Sequence, residues 1–473
     1  MNILDEVYSY IDDNIGQHMD RLSNFVKKPA VSVEQYGTKE CAESIRDWMR
    51  KLDFENVTLF EGNGNPTVFG KYRETSSDKK TLLLFGSYDS NPVEEDQWSF
   101  PPYEGQIVEK ETLGKCMVGR GVNNKMKFTA MLNAIEALTE VTDALPVNLL
   151  MVLDGEEEMF SPSLPSFVST YQDELMKADA LYMPFGSQNS RGVARVQLGY
   201  KGIAYIELES SGGSWGRGPS NFEIHSMHRP VVDNPAIRLV KALSTMISDD
   251  GNEVLIDGFD EDIKELDEPF LDLVDKLAQD FNVEGYKEGL GVQNLIGKDE
   301  KPRDVLERLF STAQINIDGI WGGYTGPGAE AVIPPKAHAK LEVRLIPNQQ
   351  SDKVIQCMED HLTHHGYSDI TIEKLAGVEY CLSSIEERIA QSLINAYRDI
   401  GAEAQIWPSS IATIPIYLFN REPLGIPFAT GCVGYGGHSH GPDEYAVIEG
   451  KGKIEGLAGY EKLISSVILE YAR

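Results

Sequence analysis

Val147-Asn148-Leu149-Leu150-Met151-Val152-Leu153 runs directly into Asp154-Gly155-Glu156-Glu157-Glu158. The apolar run reads as a buried strand. Carboxylates at the carboxyl end of such a strand stand where α/β proteins place their chemistry. Two adjacent glutamates there can divide the labour of a metal hydrolase, one activating water and the other holding metal. The competing reading is an acidic surface turn in an acidic protein. Other segments decide between them.

Upstream of this run, Ile3, Val7, Tyr10 and Ile11 recur at helical spacing, as do Cys41, Ile45, Trp48, Met49 and Leu52. Short strands at 57–60 and 67–70 flank Gly62-Asn63-Gly64-Asn65-Pro66, which is turn chemistry. A strand at 81–86 and an amphipathic helix at 126–138 complete an alternation that predicts a mostly parallel sheet flanked by helices. From Gly202 to Glu209, and again from Lys336 to Arg344, apolar and polar residues alternate, as in an antiparallel sheet with one solvated face. With helices at 234–246 and 354–362, the pattern fits a ferredoxin-like α+β domain inserted into the α/β domain. The acidic 248–305 reads as a loop-like excursion. Helices at 384–400 and 452–471 return to the α/β domain. The expected boundaries are 1–198, 199–380 and 381–473.

The length of 473 residues exceeds the roughly 250–300 at which single cores split, in keeping with two domains. The net charge of −31, from 74 acidic and 43 basic residues, argues against nucleic acid or an anionic membrane as partner. Five scattered cysteines without a CxxC pair point to reduced thiols rather than a disulfide framework or structural zinc. The polar N-terminus lacks a basic and apolar leader, and no run approaches the ~20 apolar residues of a membrane span. A cytoplasmic protein is expected.

Several ordered motifs together resemble the zinc metallopeptidase and deacylase family of carnosine-type dipeptidases, aminoacylase and succinyl-diaminopimelate desuccinylase. They are Ser87-Tyr88-Asp89 with Pro92, Trp98 and Pro101-Pro102-Tyr103, then Gly119-Arg120-Gly121-Val122-Asn123-Asn124, and the Glu157-Glu158 pair. They continue with His225-Ser226, Pro230 to Pro235, Asn316 to Gly319, Arg344 to Asn348, and His440-Gly441-Pro442-Asp443-Glu444. The resemblance runs nearly end to end. It implies a catalytic domain (1–198 and 381–473), a lid and dimerisation domain (199–380), and a homodimer in which His225 reaches a second subunit's pocket.

In that family two zinc ions share a bridging Asp. Here the strand His is Ser87, the bridging Asp is Asn124, and a later acidic ligand is Phe185. A hydroxyl and a carboxamide are poor zinc ligands, and Phe is none. The resemblance therefore implies a degenerate metal site. Glu158, His440 and weakly Asn124 would hold at most one zinc or other divalent ion, with no cofactor firmly required. Glu157 takes the general-base position, joined by Asp89 and His225 as catalytic candidates. Asn316, Arg344, Thr413, His438 and Lys125 are the substrate-binding candidates, Arg344 because its fork grips carboxylate in two places. Lys125 and Lys127 add positive charge near the site. His361, His364 and His365 read as surface residues at a helix end.

The implied function is a hydrolase of amide bonds in small dipeptide or N-acyl-amino-acid substrates. Two alternatives share the scaffold: a metal-independent enzyme of amide formation, cyclisation or isomerisation, and an inactive homologue that binds a small ligand.

Overall fold

The computed structural model describes residues 2–473 except 63, 74, 75, 77, 264, 298 and 299. Asn63 of the predicted turn thus lies outside the described residues. The chain divides into two compact units. One runs to Leu198 and resumes with Leu382–Pro408 and Pro415–Arg473; the other comprises Gly199–Cys381 and Ser409–Ile414.

The first unit is built on an eight-stranded mixed sheet. Its centre, where Thr81–Ser87 pairs with Asn148–Asp154 and with Ala180–Met183, is parallel, and the Thr67–Tyr72 hairpin edge is antiparallel. Asn148–Asp154 is buried along its whole length, which is why its sequence is an unbroken apolar run. Alternate residues of Thr81–Ser87 serve opposite faces. Phe85 packs on Phe419, with ring centroids 5.1 Å apart. Gly86 meets the long helix Val122–Thr142 on the other side, where a Cβ would stand 2.6 Å from Met131 Cε. Helices Ile3–Val26 and Leu457–Ala472 pack against that long helix.

A smaller antiparallel sheet in this unit positions the site. Tyr445–Gly450 pairs with Gly114–Val118, placing Tyr445 opposite Val118. The loop before Tyr445 is therefore bound to the loop after Val118, and the Gly119 amide donates to the Glu444 carbonyl at 2.9 Å.

The second unit has a four-stranded antiparallel sheet, ordered Gln314–Trp321, Lys336–Leu345, Gly202–Ser211, Thr371–Val378. Its register sets Ala204, Ile206 and Leu208 beside Val343, Leu341 and Ala339. These residues form one core with helices Pro235–Met246 and Ser351–His364. The excursion expected to be loop-like instead contains helices Glu268–Ala278, Val283–Leu290 and Pro302–Ser311. Phe270, Leu273, Val274 and Leu277 give the first an apolar stripe, and Asp267 caps it by accepting from the Phe270 amide. A second correction concerns His361, which is buried, whereas His364 and His365 are exposed. Among the described residues no helix is long and apolar enough to cross a membrane.

Candidate active site

The four acids from Asp154 to Glu158, at the end of strand Asn148–Asp154 and just beyond it, divide into two pairs. Asp154 accepts from Ser161 Oγ at 2.5 Å and Thr67 Oγ1 at 3.3 Å. Glu156 accepts the Asn65 amide at 2.7 Å with one oxygen and the Ser163 amide at 2.9 Å with the other. Gly64 is needed beside it, since a Cβ there would stand 1.8 Å from Glu156 Oε1. This pair is spent on holding the loop. The other pair, Glu157 and Glu158, begins a turn of 3-10 helix, and both side chains line a cavity of about 220 Å³. Ligand pockets commonly reach 300–1,000 Å³, so this one suits the reacting end of a small molecule.

The remaining wall includes Asn91, Asn123, Asn124, Lys127, Phe185, His440 and Glu444. Asn91 Nδ2 donates to Glu158 Oε2 at 2.8 Å, and Asn124 Nδ2 donates to Glu158 Oε1 at 3.1 Å. Asn91 also bonds His440 Nδ1, which lies 3.3 Å from Glu158 Oε2. The Lys127 ammonium stands 4.7 Å from the centre of the Phe185 ring. Burial, and Glu158 beside it, push the Glu157 carboxyl up to about 8, against the pull of Lys127. Burial raises Glu158 too, opposed by His440 and Asn91, and lowers Lys127.

The His440 loop is fixed by a buried ion pair. Arg120 Nη1 donates to Glu444 Oε2 at 3.0 Å, and Gly121 donates to the same oxygen at 3.0 Å. Asn123 Nδ2 holds Glu444 Oε1 at 3.0 Å, while Arg120 Nη2 reaches the His440 carbonyl at 3.3 Å. Trp98 lies under the Arg120 guanidinium, 5.1 Å away.

Of the sequence candidates in this unit, Glu157, Glu158, Asn124 and His440 meet at the cavity. Asp89 is wholly buried behind it, accepting the Glu158 amide at 3.0 Å with Oδ2, and burial raises its pKa well above the usual carboxylate range. That placement makes it a support for the turn. Lys125 is also buried, with its ammonium bound to the carbonyls of Lys28 and Pro29 rather than facing the cavity. Its expected substrate contact is corrected: Lys127 is the lysine on the wall. His438 is exposed, donates through Nδ1 to the Pro442 carbonyl at 3.1 Å, and meets the Tyr445 ring edge-on. Sequence reasoning missed Asn91, although it sits between Asp89 and Pro92 in a quoted motif. It also missed the Arg120–Glu444 pair, both members of which lie in such motifs.

The second unit holds the other candidates. Arg344 pairs with Glu342 and donates to Thr413 Oγ1 at 2.8 Å; Thr413 in turn donates to the Lys201 carbonyl at 2.9 Å. Asn316 is opposite Glu342 in the sheet register and donates to Asp318 at 2.6 Å. His225 Nδ1 accepts the Met227 amide at 3.1 Å, capping a short turn.

The donor set does not fit a pair of zinc ions. Both oxygens of the one well-placed carboxylate, Glu158, already accept from carboxamides, and an ammonium and a phenyl ring share the cavity. Two dications need a charged bridge, and Asn124 is neutral.

Residues 217–370 match the family described as the peptidase dimerisation domain. The Cys-Gly metallodipeptidase dug1 of Schizosaccharomyces pombe is 28% identical over 381 residues, covering 76% of this chain and 75% of the relative. The human Beta-Ala-His dipeptidase is 23% identical, covering 77% and 71%. The structure of the M20 family metallo-carboxypeptidase Sso-CP2 from Sulfolobus solfataricus superposes with a TM-score of 0.82 at 29% identity, covering 96% of this chain and 98% of that one. Motif order, sheet topology and these relatives agree: residues 217–370 match the peptidase dimerisation domain, and the chain as a whole is similar to metallopeptidases of the M20 family.

Proposed function

We propose that the chain hydrolyses the amide bond of small dipeptide or N-acyl-amino-acid substrates, with Glu157 as general base. The observation that carries this reading is a half-buried carboxyl held near neutrality on the wall of a small cavity, in a chain whose relatives are dipeptidases. Ionised Glu157 takes a proton from water as the oxygen adds to the substrate carbonyl carbon. That proton passes to the departing nitrogen as the C–N bond breaks, leaving a carboxylic acid and an amine. Lys127 offers positive charge to the oxygen on which negative charge develops. Glu158, His440 and Asn124 are the residues for at most one weakly held divalent ion, and no step is assigned to it.

The first unit is the catalytic domain in this reading and the second the lid and dimerisation domain. Arg344, set by Thr413, would grip a substrate carboxylate, with Asn316 and His225 as further lid contacts. The five free cysteines support a reducing, cytoplasmic setting. A homodimer is supported by the dimerisation-domain match and by exposed Ile317, Ile320 and Trp321 on an edge strand. Light scattering at micromolar concentration should give twice the chain mass; a monomer there would remove the dimer from the proposal.

Purified protein should release free amine from some member of a panel that includes Cys-Gly, β-Ala-His and N-acyl amino acids. Silence across the panel, with and without added zinc, would sink the hydrolase reading. Lys127 in the cavity favours a second reading, a metal-independent reaction. Turnover that survives exhaustive chelation would select it.

A further inference from the structure

We propose that Asp257, His361 and His365 of the second unit form a binding site for one divalent transition-metal ion, zinc foremost. His361 and His365 are one turn apart at the end of helix Ser351–His364, with ring centroids 4.2 Å apart. Residues spaced by four share a helix face, so both imidazoles point the same way. Asp257 comes from the segment after helix Pro235–Met246, held in place by the burial of Ile256 and Phe259 on either side. One nitrogen of each histidine and one Asp257 oxygen all lie within 4.8 Å of one another. Ligand atoms around tetrahedral zinc stand roughly 3.3 Å apart, a contraction that rotation of the exposed His365 and Asp257 side chains supplies.

His361 carries the argument. It is 1% exposed, and its Nε2 lies 3.0 Å from Thr245 Oγ1. The Thr245 hydroxyl spends its single proton on the Ala242 carbonyl at 2.7 Å, so it accepts from Nε2–H. Nδ1 is thereby left with a bare lone pair, buried and without a hydrogen-bond partner among the described residues. Metal-bound histidines are oriented in this way, one nitrogen donating to a fixed acceptor and the other bare for the ion. His364 Nδ1 meets Asp257 Oδ2 at 3.1 Å, which steadies the carboxylate and leaves its other oxygen for metal. Two imidazoles and one carboxylate suit zinc, nickel or cobalt rather than magnesium or calcium. A bound ion would tie the Asp257 segment to the helix end, and its fourth position would be open to water.

The test uses tag-free, full-length, chelator-treated protein carrying Glu158→Gln, which removes the best metal ligand of the catalytic cavity. Calorimetric titration with zinc up to roughly 100 µM should show one ion per chain and a rise in Tm. His365→Ala, an exposed change that leaves the core intact, should weaken binding at least ~10-fold and abolish the Tm rise, and Asp257→Asn should act in the same direction. Unchanged affinity in both variants would overturn the site, as would no binding to the parent protein. His361→Gln is informative only as a folded protein, so the two exposed variants decide.

Discussion

Glu157→Gln lowers turnover on the true substrate at least ~100-fold while KM stays within about threefold. The amide keeps the size of the carboxyl and removes only its basicity. Because Glu157 is pushed up to about 8, only a minority of molecules carry the reactive carboxylate at neutral pH. The sign follows: the base is the ionised form, so kcat/KM rises with pH through about 8. Lys127, held below the usual lysine value by burial, loses its charge at lower pH than a surface lysine, which bends the profile down on the alkaline side. A wild-type profile flat between about pH 6 and 9, or full activity in the variant, would move the chemistry away from Glu157.

Arg120→Met should destabilise the folded chain by about 3 kcal/mol, read as a lower urea midpoint at unchanged slope. The guanidinium and the Glu444 carboxylate are both nearly excluded from water, with side-chain exposures of 3% and 6%. Removing one member leaves a buried charge without its counter-ion. Gly121 and Asn123 still donate to Glu444, which keeps the loss at the lower end of the range for broken buried pairs. The damage should extend to function, since Arg120 also holds the His440 carbonyl. A stability change under about 0.5 kcal/mol would show that Glu444 simply takes up a proton instead.

Where one physical pattern dominates, the sequence is readable. Strand Asn148–Asp154 announces itself because every position is buried, and Lys336–Leu345 because burial alternates along it. The helices between 268 and 311 were obscured by surrounding charge, although the Asp267 cap and the apolar stripe behind it were there to be found. The site failed at a finer grain. Lys125 and Lys127 are two residues apart on one helix and so point to opposite sides of it. Choosing between them requires the rotation of that helix against its sheet, which is set where Met131 of the helix packs on Gly86 of a strand from another segment. The division of acids after Leu153 into loop-holders and cavity walls likewise depends on Asn65, Thr67 and Ser163, supplied by other segments.

Behind and along the cavity, burial raises four carboxyls: Asp89 well above the ordinary range, Asp154 to about 6, Glu157 to about 8, and Glu158 in the same direction. An unfolded chain would give up those protons near the ordinary carboxylate value. Between that value and the folded one, the native state holds more protons than the unfolded state, so its stability falls as pH rises. The acid-rich end of the central sheet is therefore a proton store that only the fold keeps filled, and unfolding at neutral pH empties it into the solvent.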